Sequence, residues 1–401
     1  MVIKLDKIFD SFTNQSIFKN KSILQSNYTP ETIPHRDKQI KQIASMMAPC
    51  LRLERPSNLF IYGQTGTGKT LSVQYVTNEL TRRAKKDRIE LKIIYVNCKL
   101  KKVADTEYRI LAELISQLGE KVPSTGLPTD QIYQKFIDII DKTKQLIVII
   151  LDEIDQAVKK INDEFLYTLT RLNSSLNNAQ ISLIGISNDL GFLNNLDARV
   201  KSSLSEEEVI FPAYNAIQIQ DILKERACNV FKEGVIDQGV LEKCAAYAAR
   251  EHGDARKALD LLRIAGELTE RDGNKILNTD YIDKANEKLE KDRVLEVIET
   301  QPKQQQMTLL AIIHLSEQNL NQPIFTGDIF NIYQEFCKKI KIETLTQRRI
   351  SDIIAEFDML GLINATVISK GRYGRTRKIT LSIQQSLINK AKEILKNSTG
   401  L

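Results

Sequence analysis

Residues 63–70 read GQTGTGKT, and nothing else in this 401-residue chain restricts its fold so tightly. The segment fits G-x-x-x-x-G-K-[ST]; it follows the apolar run NLFIY and opens the helical stretch TLSVQYVTNEL. A buried strand that turns through glycines into a helix N-terminus aims backbone N–H groups at one point, and the helix adds positive potential there. Gly63, Gly66 and Gly68 permit the tight turn. Such a cradle suits phosphate: Lys69 can place its ammonium between a β- and a γ-phosphate, and Thr70 can offer a hydroxyl to Mg2+. A glycine-rich turn that binds nothing is the bland alternative, and the flanking strand and helix argue against it.

Short Ile- and Val-rich runs at 59–62, 91–96, 146–151, 181–187 and 209–211 alternate with helical sequence, as in buried parallel strands. This predicts an α/β domain with about five strands. The run LIVIIL ends in Asp152 and Glu153, which places two acids at the strand end beside the phosphate loop. Asp152 is expected to hold Mg2+ through water, because magnesium gives up its waters reluctantly. Glu153 would polarise an attacking water, unless the two acids merely cap the next helix. Asp155 reads as a cap or an ion-pair partner. Asn188, ending ISLIGISN, could orient the same water or simply cap a helix. Arg199 and Lys201 in LDARVKSSL lie too far from their own loop and suit the γ-phosphate of a neighbouring subunit, or a surface ion pair. Arg256, in the first turn of the helix within GDARKALDLLR, gains nothing from the helix dipole, and a nucleotide phosphate is its natural partner.

From Ala213 the strands stop, and helical stretches near 214–231, 237–251, 255–271 and 279–299 predict a small all-α domain. Ala258, Leu261, Leu262, Ala265 and Leu268 recur at helical spacing, one apolar face. The domains expected are therefore a polar tail over 1–24, a nucleotide-binding α/β domain over 25–212, a helical lid over 213–300 and a last domain over 301–401.

Charge separates the last domain from the rest. Residues 1–302 hold 43 basic and 43 acidic side chains, whereas 303–401 hold 14 and 8, the whole of the net +6. A neutral body with a basic end points to a polyanion partner for that end. Three helical stretches there, TLLAIIHLSEQ, TGDIFNIYQEFCKKI and LTQRRISDIIAEFDMLGLI, precede two short strands joined by KGRYGRTRK, the pattern of a winged helix-turn-helix. In the third, Ile350, Ile353, Ile354 and Phe357 form the apolar stripe, leaving Gln347, Arg348 and Arg349 outward to read base edges in a major groove. The hairpin carries Lys370, Arg372, Arg375, Arg377 and Lys378 without an acid, and an arginine or Tyr373 can enter a minor groove. A solvated or protein-binding hairpin is the alternative. No stretch approaches the ~20 apolar residues of a membrane span. The five scattered cysteines include no C-x-x-C pair, so neither a disulfide framework nor a zinc site is indicated, and buried thiols in a reducing cytoplasm are expected.

Taken in order, GQTGTGKT, LDEID, the Asn188 strand, LDARVKSSL, GDARKALDLLR and the winged helix resemble the archaeal origin-recognition and replication-initiator proteins, which are AAA+ ATPases. The resemblance covers roughly residues 15–395. It implies that Lys69, Thr70, Asp152 and Glu153 bind and hydrolyse ATP with Mg2+ to ADP and phosphate, and that Asn188 and Arg256 are the two sensors. Arg199 matches the finger position, with Lys201 the other candidate. Nucleotide contacts are expected from Gly63, Gln64, Thr65, Gly66, Thr67, Gly68, Lys69, Thr70, Leu71, Tyr214, Arg226 and Arg256, and from His35 and Arg36 in TIPHRDKQI, unless that segment is only a solvated helix start. An initiator-type insertion at about 99–131 could bring Lys121 to DNA, an ordinary surface loop being the alternative. The partners implied are origin duplex DNA, another initiator subunit and the replicative helicase, for a cytoplasmic, chromosome-associated protein without a membrane. The competing readings are a winged-helix transcription regulator with ATP as a structural ligand, and a signalling or transposition adaptor ATPase. Glu153 and Asn188 favour hydrolysis, and the basic hairpin weighs against a pure adaptor.

Overall fold

The computed structural model describes residues 16–401 apart from 26–27, 100–105, 124–125, 127, 205, 319–323, 370–374 and 384. The chain divides into two compact units, Met1–Ile282 and Asp283–Leu401.

In the first unit, β1 (Asn58–Gly63), β2 (Leu91–Asn97), β3 (Gln145–Asp152), β4 (Ala179–Ser187) and β5 (Glu206–Phe211) form a parallel sheet in the order β2-β3-β4-β1-β5. Both β1 and β3 are buried at every position, which explains why they read as unbroken apolar runs instead of alternating ones. Successive side chains serve opposite faces. Leu59, Ile61, Leu146, Val148 and Ile150 pack with Ile43 and Met47 of α1 (Asp37–Met47) and Val73, Val76 and Leu80 of α2 (Lys69–Lys86). On the other face, Phe60, Ile147, Ile149 and Leu151 pack with α3 (Glu107–Gln117), α4 (Thr129–Ile140), α5 (Ile154–Ile161), α6 (Glu164–Arg171) and α7 (Ala198–Leu204). Because all five strands run the same way, the phosphate loop after β1, the acids ending β3 and Asn188 after β4 emerge on one edge of the sheet.

The lid helices α8 (Ala216–Val230), α9 (Val240–Arg250) and α10 (Ala255–Arg271) follow β5. Asn215 and Gln218 close a capping box on α8, and the Asp254 carboxylate caps α10 by accepting from the N–H groups of Arg256 and Lys257. The expectation of a polar tail through residue 24 is corrected from Ser16 onward. Ile17, Phe18, Ile23 and Leu24 are buried, and Phe18 packs on Phe231 with ring centroids 4.9 Å apart. Four apolar side chains within eight residues bury more surface than a solvated lead-in would leave exposed.

The helix α11 (Thr279–Thr300) begins in the first unit and runs into the second. There, α12 (Lys303–Gln318), α13 (Thr326–Lys339) and α14 (Gln347–Met359) precede β7 (Ile363–Ser369) and β8 (Arg375–Leu381), with the two-residue β6 (Ile324–Phe325) completing an antiparallel sheet in the order β6-β8-β7. The α14 stripe Ile350, Ile353, Ile354 and Phe357 is buried as predicted, so the opposite face of this helix is the one left to solvent. A last helix, α15 (Gln385–Thr399), closes the core through Leu387, Ile388, Ala391 and Leu395.

Candidate functional site

The turn into α2 depends on two glycines held at positive φ, Gly66 at 73° and Gly68 at 86°. A Cβ on Gly68 would meet the Tyr214 hydroxyl at 3.0 Å, and one on Gly66 would fall 1.7 Å from Asp254 Oδ1. The lid therefore lies directly against the cradle, and the Ala255 N–H donates to the Gly66 carbonyl across 3.3 Å. Lys69 is 6% exposed, and its Nζ donates to the carbonyls of Gly63 and Gln64 (2.7 and 2.8 Å) and to Asn188 Oδ1 (2.8 Å). Burial pulls its pKa down to about 8; Asp152 opposes that fall, and the Arg256 charge adds to it. Lys69 and Arg256 are thus near enough to repel, an arrangement a polyphosphate would relieve.

Asp152 is buried, and one carboxylate oxygen, Oδ2, accepts both the Thr70 hydroxyl at 2.9 Å and the Tyr95 hydroxyl at 2.6 Å. Burial, and then the bond to Asp152, push the Tyr95 phenol well above its ordinary pKa. Tyr95 escapes sequence reasoning because only the β2–β3 register, which sets Tyr95 beside Ile150 and Asn97 beside Asp152, brings this strand end to the acids. Glu153 precedes α5 at φ 54° and makes no side-chain cap bond, so capping does not consume its carboxylate; Lys99 Nζ stands 3.7 Å from it. Asp155 is not a bystander. Its buried carboxylate accepts from the Ser187 hydroxyl at 3.2 Å and the Asn188 N–H at 3.5 Å, while Lys159 pairs with it at 3.9 Å. It braces the turn that presents Asn188 to Lys69.

Lys69, Thr70, Tyr95, Asp152, Glu153 and Asn188 line a cleft of about 290 Å3 that also takes in Thr65, Thr67, Leu71, Tyr214, Arg226 and Arg256. Its apolar wall, Pro30, Ile33, Pro34, Ile222 and Leu259, suits the flat face of a base; Ile33 and Pro34 belong to the segment TIPHRDKQI, whereas Ile222 and Leu259 come from the lid. Arg226 lies over the Tyr28 ring at 4.8 Å. Gly63 and Gln64 contribute through the carbonyls that hold Lys69.

The remaining candidates stand outside the cleft lining. His35 turns away to Asp221 on α8 at 3.1 Å. Arg36 is not solvated: it is 1% exposed, donates to the Thr67 and Pro212 carbonyls at 2.8 and 2.7 Å, and stacks 3.7 Å above the Tyr214 ring, so it meets the cleft through the phosphate loop and Tyr214. Arg199 is 83% exposed on α7 and pairs with Asp197 at 3.2 Å, and Lys201 on the same helix is exposed.

In the second unit, Thr346 caps α14 and leaves Gln347, Arg348 and Arg349 exposed. Arg348 has no partner among the described residues, whereas Arg349 approaches Asp352 and Glu356 at 4.0 Å each. Arg377 donates to the Ser351 carbonyl at 2.7 Å and so ties β8 to α14. Lys370, Arg372 and Tyr373 lie outside the described residues, and Arg375 begins β8. Lys121 is exposed.

A phosphate loop, a strand-end acid pair, a polar residue ending the next strand and a helical lid that closes on the loop define an AAA+ ATPase, here joined to a winged helix. Family comparison agrees: residues 52–190 match the AAA domain, 220–287 the Cdc6 AAA+ ATPase-type lid domain, and 296–391 the CDC6 C-terminal winged helix domain. An ORC1-type DNA replication protein of Pyrococcus furiosus is 52% identical over 386 residues, 95% of this chain and 91% of that protein. The Aeropyrum pernix ORC1 protein, solved in complex with DNA, superposes with a TM-score of 0.83 at 40% identity, covering 96% of this chain and 98% of that one. The Aeropyrum pernix ORC2 protein, solved as ADPNP–ADP complexes, shares the fold at a TM-score of 0.60 and 21% identity, over 96% of this chain and all of that one. The chain belongs to the ORC1-type DNA replication proteins, the Cdc6/ORC1 branch of AAA+ replication initiators.

Proposed function

We propose that the chain is an ATP-dependent initiator that binds duplex DNA at replication origins and helps to recruit or load the replicative helicase, with hydrolysis of ATP as its switch. The reading takes 25–212 as the nucleotide-binding domain, 213–300 as the lid and 301–401 as the DNA-binding domain. The observation that carries it is the junction of Lys69 with Asn188 and of Thr70 with Asp152 in one cleft that Arg256 enters from the lid. The donors fit ATP and magnesium: positive-φ glycines open the cradle, and a hydroxyl and a carboxylate 2.9 Å apart offer the oxygen ligands that Mg2+ takes together with water. Bound there, the ion would neutralise charge developing on the β- and γ-oxygens.

The chain's own groups divide the remaining work. The loop amides and Lys69 hold the β- and γ-phosphates, Tyr95 and Thr70 fix the Asp152 carboxylate, and Glu153 accepts the proton of the water that attacks in line. Asn188, braced by Asp155, orients that water. Arg256 answers the γ-phosphate from the lid, and Arg199 or Lys201 answers it from a neighbouring subunit, so an isolated monomer turns over slowly. On DNA, Gln347, Arg348 and Arg349 face the major groove, with Lys370, Arg372, Tyr373, Arg375 and Arg377 of the hairpin, and Lys121, at the flanks.

Nuclease footprinting across chromosomal DNA tests the whole reading: protection at replication origins supports it, and protection confined to promoters, or none, refutes it. The catalytic assignment has its own test. Glu153→Ala should retain ATP and lose turnover, whereas undiminished turnover would remove Glu153 from this role.

A further inference from the structure

A second group of cations lies in the first unit, apart from the cleft. The packed helices α6 and α7 border an open recess of about 730 Å3, lined by Arg55, Arg171 and Arg199 with Tyr167, Thr170 and Ser203, and none of its lining residues is acidic. The three guanidiniums are held differently. Arg171 lies over its own Tyr167 ring at 4.9 Å, and Arg199 pairs with Asp197 beside the recess. Arg55 has neither a hydrogen bond nor an ion pair among the described residues, although neighbouring protein strips part of its hydration and lowers its pKa. Three arginines around one hollow repel each other, and an anion that takes their planar N–H forks offsets that cost. Phosphate oxygens match this fork geometry.

The phosphate concerned is not the chain's own nucleotide, because none of the three arginines lines the cleft that contains Lys69. The same unit therefore carries a polyphosphate cradle ending in Asp152 and Glu153, and a separate cationic recess. That is the complementarity of a head-to-tail contact between copies. We propose that Arg55 and Arg171 join Arg199 in a three-guanidinium receptor for the triphosphate held by a second copy of this chain. The proposal rests on the reading that Arg199 acts between subunits, and extends it: Arg199 serves turnover, while Arg55 and Arg171 make assembly depend on the γ-phosphate.

The test is sedimentation velocity of the full chain with ATP, ADP or no nucleotide, in a Glu153→Gln background that keeps ATP intact. Arg55→Ala with Arg171→Ala should weaken ATP-dependent self-association about tenfold or more, leave the ADP state unchanged, and preserve the affinity of the monomer for ATP. Lysine at both positions, which keeps charge but loses the fork, should recover only part of the association. Equal weakening with ATP, ADP and no nucleotide would make these ordinary contact residues and overturn the proposal. So would unchanged association accompanied by lost affinity for duplex DNA, which would assign the recess to the DNA backbone. If Arg199→Ala, assayed with Glu153 intact, abolishes turnover while the double variant assembles normally, the receptor fails and the trans reading survives. If Arg199→Ala changes neither turnover nor assembly, the trans reading itself fails.

Discussion

Arg36 gives the sharpest test of how the phosphate loop is held. The residue is 1% exposed and its guanidinium faces carbonyl oxygens, with no acid paired to it among the described residues: Nε donates to Thr67 and Nη2 to Pro212. One bond reaches the phosphate loop, and the other reaches the turn between β5 and the lid. In Arg36→Ala both carbonyls lose a charged donor. Two such bonds are worth about 3–6 kcal/mol together, and the stack on Tyr214 about 1–2 kcal/mol more. Relief from burying an isolated charge returns several kcal/mol, leaving a net loss of about 3 kcal/mol. In a unit of this size that lowers the melting temperature by about 6–12 °C. Calorimetry of the variant beside Arg36→Lys, which keeps the charge but cannot span two carbonyls, is the assay, with ATP affinity read in parallel. The lysine variant should fall near the alanine variant, and both should bind ATP less tightly. A melting temperature within about 2 °C of the parent would mean that the two bonds do not brace the loop.

Other expectations follow from the same geometry. With the Lys69 pKa held to about 8 in the free protein and raised again beside a triphosphate, binding takes up a proton above that pH. Affinity for ATP should therefore be flat below pH 8 and fall as pH rises through it, by up to about tenfold per unit; isothermal titration in buffers of different ionisation heat measures the proton directly. Asp155→Ala orphans the Ser187 and Asn188 donors and should cost about 1–3 kcal/mol of stability, whereas Asp155→Asn should keep the fold and lower kcat more than it raises KM. On duplex DNA, log affinity should fall with log salt at a slope of roughly −4 to −5 if four to six cations meet phosphates, and replacing Arg372, Arg375 and Arg377 together by Ala should remove most binding. Unchanged duplex affinity in that triple variant rejects the hairpin as a contact.

What the amino-acid order discloses, and what it withholds, follows from the range of the interactions. The strands and the cradle are local: β1 and β3 are buried on both faces and are therefore apolar between their polar ends, and the glycines of the loop lie within six residues. The stripe on α14 is likewise set by spacing alone. Tyr95 and the apolar wall at Pro30, Ile33 and Leu259 depend on sheet order and on where the lid rests, and no periodicity encodes either. Arg36 looks like the start of a solvated helix until Pro212, 176 positions away, is seen to accept from it. The terminal helix α15 was within reach, since Leu387, Ile388, Ala391 and Leu395 recur at helical spacing, but a winged-helix template that stops at the hairpin passes over it.

The phosphate-loop pattern treats position 66 as free to vary, yet in this chain it is not. The Asp254 carboxylate occupies the space where any larger residue at 66 would begin, and it is fixed there by two N–H groups of α10. Even a single methyl group at that position would have to unseat the α10 cap, at about 1 kcal/mol, besides straining the backbone by about 1–2 kcal/mol. The smallness of residue 66 is thus imposed by a helix nearly two hundred positions downstream, and a variant that still satisfies every letter of the motif would nevertheless hold its lid ajar.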